Sequence, residues 1–318
     1  MREGDAMDHI HGSGGARRNM VRTARLTASI PFLIACAVLL AQPAGAQSTA
    51  NAVVPPQVPA REGIAAVADT HLWYWDTGGE GVPVVLLHPA SGSGLIWGYQ
   101  QPAFAKAGYR VIAYSRRSYF NSDALAKDRP GIGSADLHAL IELLDLKKFH
   151  VVASAAGGTI ATDYALSHPD RLESLTIADN ATGVRDGEIA KAANNIRTPG
   201  FDDMPVEFRE LGPSYRAANP QGARVWTELA HKAVIAPDYR QPVANEITTA
   251  RLEAMRVRTL LITGDADLIT PPSIMRMVAR HIPGSEISII TEAGHSAYWE
   301  QPDAFNRAVL GFIAKQPK

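Results

Sequence analysis

Two short loops in the C-terminal third of the chain carry residues suited to acid–base chemistry. Glu292-Ala293-Gly294-His295-Ser296 presents a histidine in a turn between a strand-like and a helix-like segment. Leu260–Pro271, reading Leu-Leu-Ile-Thr-Gly-Asp-Ala-Asp-Leu-Ile-Thr-Pro, presents Asp267, with Asp265 as the alternative carboxylate. A carboxylate that holds one imidazole nitrogen leaves the other free to take a proton from an attacking group. A third stretch, Phe149–Ala161, reads Phe-His-Val-Val-Ala-Ser-Ala-Ala-Gly-Gly-Thr-Ile-Ala. It has the form of a strand, a tight turn and a helix, the arrangement that exposes a nucleophile on a strained backbone. Such a turn needs small residues two before and two after its apex, because strand and helix backbones pass closely there. Ala153 and Gly157 meet that need if the apex is position 155. The apex residue is then Ala155, whose methyl group cannot attack. Centring the turn on Ser154 instead would put Val152 at a crowded position and aim the hydroxyl away from the pocket.

The elements that must position these loops alternate strand and helix. Thr70–Asp76 alternates apolar and polar residues and turns at Gly78-Gly79. Strand-like apolar runs follow at Val82–His88, Arg110–Tyr114, Phe149–Ala153, Leu172–Ala178, Val257–Thr263 and Glu286–Thr291. Between and after them, Leu95–Ala107, Ser134–Leu146, Gly157–Ser167, Pro272–His281 and Pro302–Lys315 have helical character, Leu137, Leu140, Ile141 and Leu144 at helical spacing being the clearest case. Continuous apolar strands separated by helices imply a mostly parallel sheet covered on both faces. Residues 181–254 break the rhythm: they are polar, helix-prone and interrupted by Pro199, Pro205, Pro213, Pro220 and Pro237, which reads as a helical cap inserted after one strand.

With those residues in place, the chain resembles the α/β-hydrolase superfamily over roughly residues 64–318. Leu144–Arg171 resembles the family's elbow with its flanking strand and helix, and this register puts Ala155 where the family has Ser. Val84–Ser91 resembles its third strand and oxyanion loop, with His88-Pro89 where His-Gly is usual. Ser115-Arg116-Arg117-Ser118-Tyr119 stands in for Asp-Arg-Arg-Gly-Tyr. Asp267 matches the catalytic acid and His295 the base, in the chain order nucleophile, acid, base. The resemblance implies an eight-stranded-type α/β-hydrolase sheet, a core of residues 64–180 and 255–318, and a cap at 181–254. It further implies oxyanion-hole N–H groups from Ala90 and Ala156, no cofactor, no metal, and a small-molecule substrate cleaved at an ester, lactone or related acyl bond. Asp179 and Asn180, at a strand end beside the cap, and Trp97, Tyr119, Tyr298 and Trp299 either face the substrate or serve structure.

The missing nucleophile leaves four readings open. Ala155 is a serine-to-alanine replacement in an active hydrolase; the chain is a ligand-binding pseudoenzyme; Ser154 is a displaced nucleophile; or His295 and Asp267 act alone, as in a lyase. An aspartate nucleophile is excluded at this position. Ala keeps the strain of a positive-φ apex while losing its chemistry, which favours the first reading.

Composition sets the remaining bounds. With 31 basic and 32 acidic residues, the chain carries no electrostatic footprint for nucleic acid or anionic lipid. Its single cysteine, Cys36, allows neither an internal disulfide nor a cysteine zinc site. Arg17, Arg18, Arg22 and Arg25, the apolar run Leu26–Leu40 and the small-residue pattern before Gln47 read as a signal peptide over residues 1–46, followed by a linker at 47–63. Export to the periplasm or medium is the expectation, without stable membrane insertion once the signal is removed. Arg17-Arg18 resembles a twin-arginine signal and Leu33–Cys36 a lipidation site as alternatives. The sequence leaves oligomeric state open.

Overall fold

The computed structural model describes residues 54–235 and 240–315. The signal-peptide reading, Cys36 and the first part of the linker lie outside the described residues. Eight strands form one sheet in the order β1-β2-β4-β3-β5-β6-β7-β8. They are β1 (Arg61–Val67), β2 (Thr70–Asp76), β3 (Pro83–Leu87), β4 (Arg110–Tyr114), β5 (Phe149–Ser154), β6 (Leu172–Ala178), β7 (Thr259–Gly264) and β8 (Glu286–Ile290). The β1–β2 and β2–β4 pairs are antiparallel; the other five are parallel. The strand–helix alternation implies such a mostly parallel sheet, and its eight strands are the number that the resemblance implies.

The apolar strands are apolar throughout because both faces are covered. In β3, Val85 and Leu87 enter one core cluster while Val84 and Leu86 enter the other. β5 splits in the same way between Val151 and Val152. The first core is closed by α2 (Gly133–Leu143), α3 (Ala156–Ser167) and α9 (Pro272–His281), through Leu137, Leu140, Ile160, Tyr164, Met275 and Val278. The second is closed by α1 (Gln100–Lys106) and α11 (Pro302–Ile313), through Phe104, Phe305, Val309 and Phe312. Side chains of period two thus reach opposite helical layers.

Two local expectations differ from the structure. Strand β1 begins at Arg61, inside the segment read as a linker, and Val58 already pairs with Gln101, its N–H donating to Oε1 (2.9 Å) and its carbonyl accepting from Nε2 (2.9 Å). As an edge strand β1 needs only one apolar face, and Ile64 is 55% exposed, so the apolar run that marks the inner strands is absent. The helix read over Leu95–Ala107 is two pieces, a 3₁₀ turn at Gly94–Trp97 and α1 from Gln100.

Between β6 and β7 lie α4 (Gly187–Ile196), α5 (Val206–Glu210), α6 (Pro213–Ala218), α7 (Pro220–Ala233) and α8 (Thr249–Ala254). Asp163 of α3 fastens the stretch that leads into α8: its carboxylate accepts from Ala244 N (2.9 Å), Asn245 N (2.8 Å), Asn245 Nδ2 (2.8 Å) and Ser134 Oγ (2.5 Å). No described helix is long and apolar enough to cross a membrane.

Candidate active site

The site is built at the C-terminal ends of the parallel strands. β5 stops at Ser154, Ala155 turns the chain at φ 45°, ψ −119°, and α3 starts at Ala156. The residue in the sterically costly conformation is therefore Ala155 and not Ser154. The turn is locked by hydrogen bonds from Ala155 N to Ala178 O (2.9 Å) and from Gly158 N to Ala155 O (2.8 Å). Gly157 is required by packing, since a Cβ there would lie 2.4 Å from Leu87 O. Ser154 is fully buried and its hydroxyl has no hydrogen-bond partner. Strand alternation puts it on the Val152 side of the sheet, within the second core.

Asp267 and His295 meet in the structure. His295 Nδ1 donates to Asp267 Oδ2 at 2.8 Å and Oδ1 at 3.0 Å, and both residues are buried. Asp267 Oδ1 also accepts from Ile269 N (2.7 Å) and Thr270 N (2.9 Å), so the loop's own backbone aims the carboxylate. Asp265 is exposed and instead accepts from Glu292 N at 2.8 Å, pinning the end of β8. Burial works against a charged His295, but the charge and hydrogen bond of Asp267, aided by Glu210 and Asp179, prevail and push its pKa up to about 10. With Nδ1 engaged, Nε2 is the nitrogen left for a reacting group.

The loop after β3 is braced rather than loose. His88 is buried and stays neutral, held far below the usual histidine range first by burial and then by the charge of Arg116. Its Nε2 accepts from Arg116 N at 3.1 Å, while Nδ1 lies 2.7 Å from Pro89 O and donates to it. The Arg116 guanidinium reaches the carbonyls of His88 (3.2 Å) and Pro89 (3.1 Å). Pro89 therefore closes a fixed turn, with Gly92 N donating to its carbonyl at 3.2 Å, and Ala90 emerges exposed at its tip. Ala156 starts α3 directly after the elbow. Ser118 takes φ 69°, the conformation that the glycine of the resembling motif would supply.

Of the aromatic residues singled out above, Trp97, Tyr298 and Trp299 are core: Trp97 packs on Tyr298 with ring centroids 4.9 Å apart, and Trp299 Nε1 donates to Gly222 O of α7 at 3.3 Å. Tyr119 is half-buried, edge-on to His88 at 4.6 Å and beneath the Arg116 guanidinium at 4.6 Å.

Three further carboxyls lie at the site, of which Glu300 and Glu210 were not marked by the sequence pattern. Glu300, on the short helix α10 (Ala297–Glu300), accepts from Gly212 N (2.7 Å), Gly294 N (3.0 Å) and Ser296 N (3.2 Å). It ties the His295 loop to the helical segment, and burial pushes its pKa up to about 7 despite those N–H groups. Glu210, the last residue of α5, accepts His295 N–H through its own carbonyl at 2.8 Å and buries its carboxyl beside Ser91. Asp179 follows β6 at φ 54° and is fully buried, with neither carboxyl oxygen hydrogen-bonded. Its neighbour Asn180 is half-buried, its Nδ2 3.4 Å from Thr159 Oγ1. Asp179 is singled out in the sequence by its place at a strand end; Glu300 and Glu210 become significant only through tertiary proximity. A depression of about 450 Å³ lined by Met204, Phe208, Leu268 and Asp267 opens where the helical segment meets the acid loop. No cluster of potential metal ligands occurs among the described residues.

A buried imidazole–carboxylate pair, a strained elbow at a helix N-terminus and a braced turn opposite it define the class. The chain belongs to the alpha/beta hydrolase family, whose model matches residues 84–308. It is similar to a Mycobacterium tuberculosis protein provisionally named non-heme bromoperoxidase BpoC, at 29% identity over 76% of this chain and 97% of that one. It is also similar to the 2-hydroxy-6-oxononadienedioate/2-hydroxy-6-oxononatrienedioate hydrolase of Burkholderia vietnamiensis, at 26% identity over 76% and 90% of the two chains. Among solved structures, the enol-lactonase of Burkholderia xenovorans LB400 superposes with a TM-score of 0.64 at 23% identity, over 80% of this chain and all of that one, which speaks to the fold. Hydrolases among these relatives support a hydrolase scaffold with a small-molecule substrate.

Proposed function

We propose that the chain is an exported hydrolase scaffold for an ester, lactone or related acyl bond, with its covalent step removed by Ala155. The observation that carries this reading is the pairing of an intact His295–Asp267 couple with an apex residue still held at φ 45°, ψ −119°. That backbone costs on the order of 1–3 kcal/mol and serves to expose a nucleophile. With serine at 155, the fraction of His295 that is neutral, small below its raised pKa of about 10, would take the hydroxyl proton at Nε2 as oxygen attacks the acyl carbon, Asp267 would hold the imidazole, and the N–H groups of Ala90 and Ala156 would receive the developing oxyanion. With alanine the chamber binds its ligand and turnover is nearly silent. Residues 181–254 act as the cap that selects the substrate.

A second reading is favoured by Asp179 and Glu210, buried carboxyls beside His295: proton-transfer chemistry of the lyase type without a nucleophile. One experiment separates the two. The chain as it stands and its Ala155→Ser variant are assayed on short-chain aryl esters and lactones. The hydrolase reading expects activity in the serine form and a loss of at least about a thousandfold in the alanine form. Equal activity of the two forms would sink it.

A further inference from the structure

Two consecutive arginines stand just beyond β4, both buried and in opposite company. Arg117 is neutralised twice over: Nε and Nη2 donate to Asp136 at 2.8 Å each, and Nη2 donates to Asp69 at 2.7 Å. Arg116, 8% exposed, pairs with no carboxylate among the described residues. Its guanidinium rests on carbonyls and rings instead. Nη2 donates to His88 O (3.2 Å) and Pro89 O (3.1 Å), Nε donates to His88 Nε2 (3.3 Å), and the Tyr119 ring lies 4.6 Å away. Holding a charge out of water without a counter-charge is costly, which sets Arg116 apart from its neighbour.

These contacts converge on the Pro89 carbonyl. It accepts from His88 Nδ1 at 2.7 Å, from Arg116 Nη2 at 3.1 Å and from Gly92 N at 3.2 Å. Three donors on one oxygen fix the plane of the peptide that joins Pro89 to Ala90. In a trans peptide the C=O and N–H point opposite ways. The Ala90 N–H is therefore turned away from Arg116 and His88, on the exposed tip of the turn, and it donates to no acceptor among the described residues. The same turn is seated against the elbow. A Cβ on Gly157, in the first turn of α3, would lie 2.4 Å from Leu87 O and 2.9 Å from His88 O. His88 serves this brace only while neutral, since Nε2 accepts from Arg116 N at 3.1 Å; burial and the Arg116 charge keep it so.

Resting on the hydrolase reading above, we infer that Arg116 is the positioning residue of the oxyanion turn: it holds the Pro89 carbonyl so that the Ala90 N–H faces the chamber. Its unpaired charge also lies behind that peptide. A cation on the carbonyl side polarises the amide and strengthens its N–H as a donor, so a negative oxygen in front is favoured.

Two measurements test this. Residual dipolar couplings of the backbone amides are recorded for the unaltered chain, Arg116→Met and Arg116→Lys. Arg116→Met should reorient the Ala90 N–H while the amides of β3 and β5 keep their orientation. Arg116→Lys, which retains the charge and a donor for Pro89 O, should leave Ala90 as it was. Arg116→Gln repeats the comparison if the Met form does not fold. In the Ala155→Ser background, Arg116→Met should lower kcat on an aryl ester by about a hundredfold with KM changed less than about threefold, the pattern of a donor that counts only in the transition state. Arg116→Lys should recover kcat to within about tenfold. The inference falls if Ala90 keeps its orientation without the guanidinium, if the loss lies in KM instead of kcat, or if lysine fails to rescue. The two readings fail separately. An Ala155→Ser form inert on esters and lactones removes the hydrolase reading, and the amide couplings still decide whether Arg116 sets the turn. A hydrolytic Ala155→Ser form indifferent to Arg116 removes this inference alone.

Discussion

Ala155 concentrates the contradiction of the site in one residue. Its backbone is held at φ 45° by the Ala178 and Gly158 hydrogen bonds, a conformation that benefits an exposed side-chain oxygen and gives a methyl group nothing. Glycine adopts this region freely, at the cost of a more flexible unfolded chain, about 0.4–1 kcal/mol. Relief of roughly 1–3 kcal/mol of strain outweighs that cost. Ala155→Gly is accordingly expected to stabilise the protein by about 1 kcal/mol, seen as a higher urea midpoint at unchanged denaturant slope. A lower midpoint would mean that the Ala155 methyl packs productively or that the turn is unstrained.

At the scale of elements, the His295 loop depends on α10. Glu300 gathers the N–H groups of Gly212, Gly294 and Ser296, and the loop and the helical segment approach so closely that a Cβ on Gly294 would lie 2.4 Å from Gly212 N. Glu300→Ala would orphan all three donors and cost about 2–4 kcal/mol; Glu300→Gln, keeping one oxygen, would cost roughly half. Faster hydrogen exchange at Gly212 and Gly294, with β5 still protected, would locate the damage; uniform loss of protection would argue against a local role. This level of organisation was only partly legible in the sequence. β3 and β5 declared themselves because burial on both faces demands unbroken apolar runs. Ala155, Asp267 and His295 sit in short local patterns, each a strand end followed by a turn, and so could be named. Glu210 has no local pattern: it ends a five-residue helix, and only the packing of α5 on the His295 loop brings it to the site, whereas Asp179 is marked by its place at a strand end. β1 was hidden for a different reason, since an edge strand with exposed Ile64 lacks the apolar continuity of an inner one.

For the molecule as a whole, the buried titratable groups set how stability responds to pH. His295 keeps its proton to about pH 10, whereas a histidine in the unfolded chain releases it near 6.5. Between those values the folded chain binds more protons than the unfolded one, so the contribution of the His295–Asp267 pair is complete below about 6.5 and is lost as pH rises toward 10. Glu300, pushed up to about 7 by burial, adds to the decline between about 4.5 and 7. His150, held down to about 4 by burial and by Arg258, and His88, held lower still, act with opposite sign: they stay neutral in the fold and oppose it as pH falls below 6.5. The two sets offset one another in mildly acidic solution, and above pH 6.5 only the destabilising trend remains. Urea denaturation at pH 6, 7.5 and 9 should therefore show stability falling steadily with pH, and His295→Gln should flatten the alkaline part of that fall. Stability that stayed level or rose from pH 6.5 to 9 would mean that His295 is neutral in the folded chain, and with it the electrostatic account of the chamber would have to be redrawn.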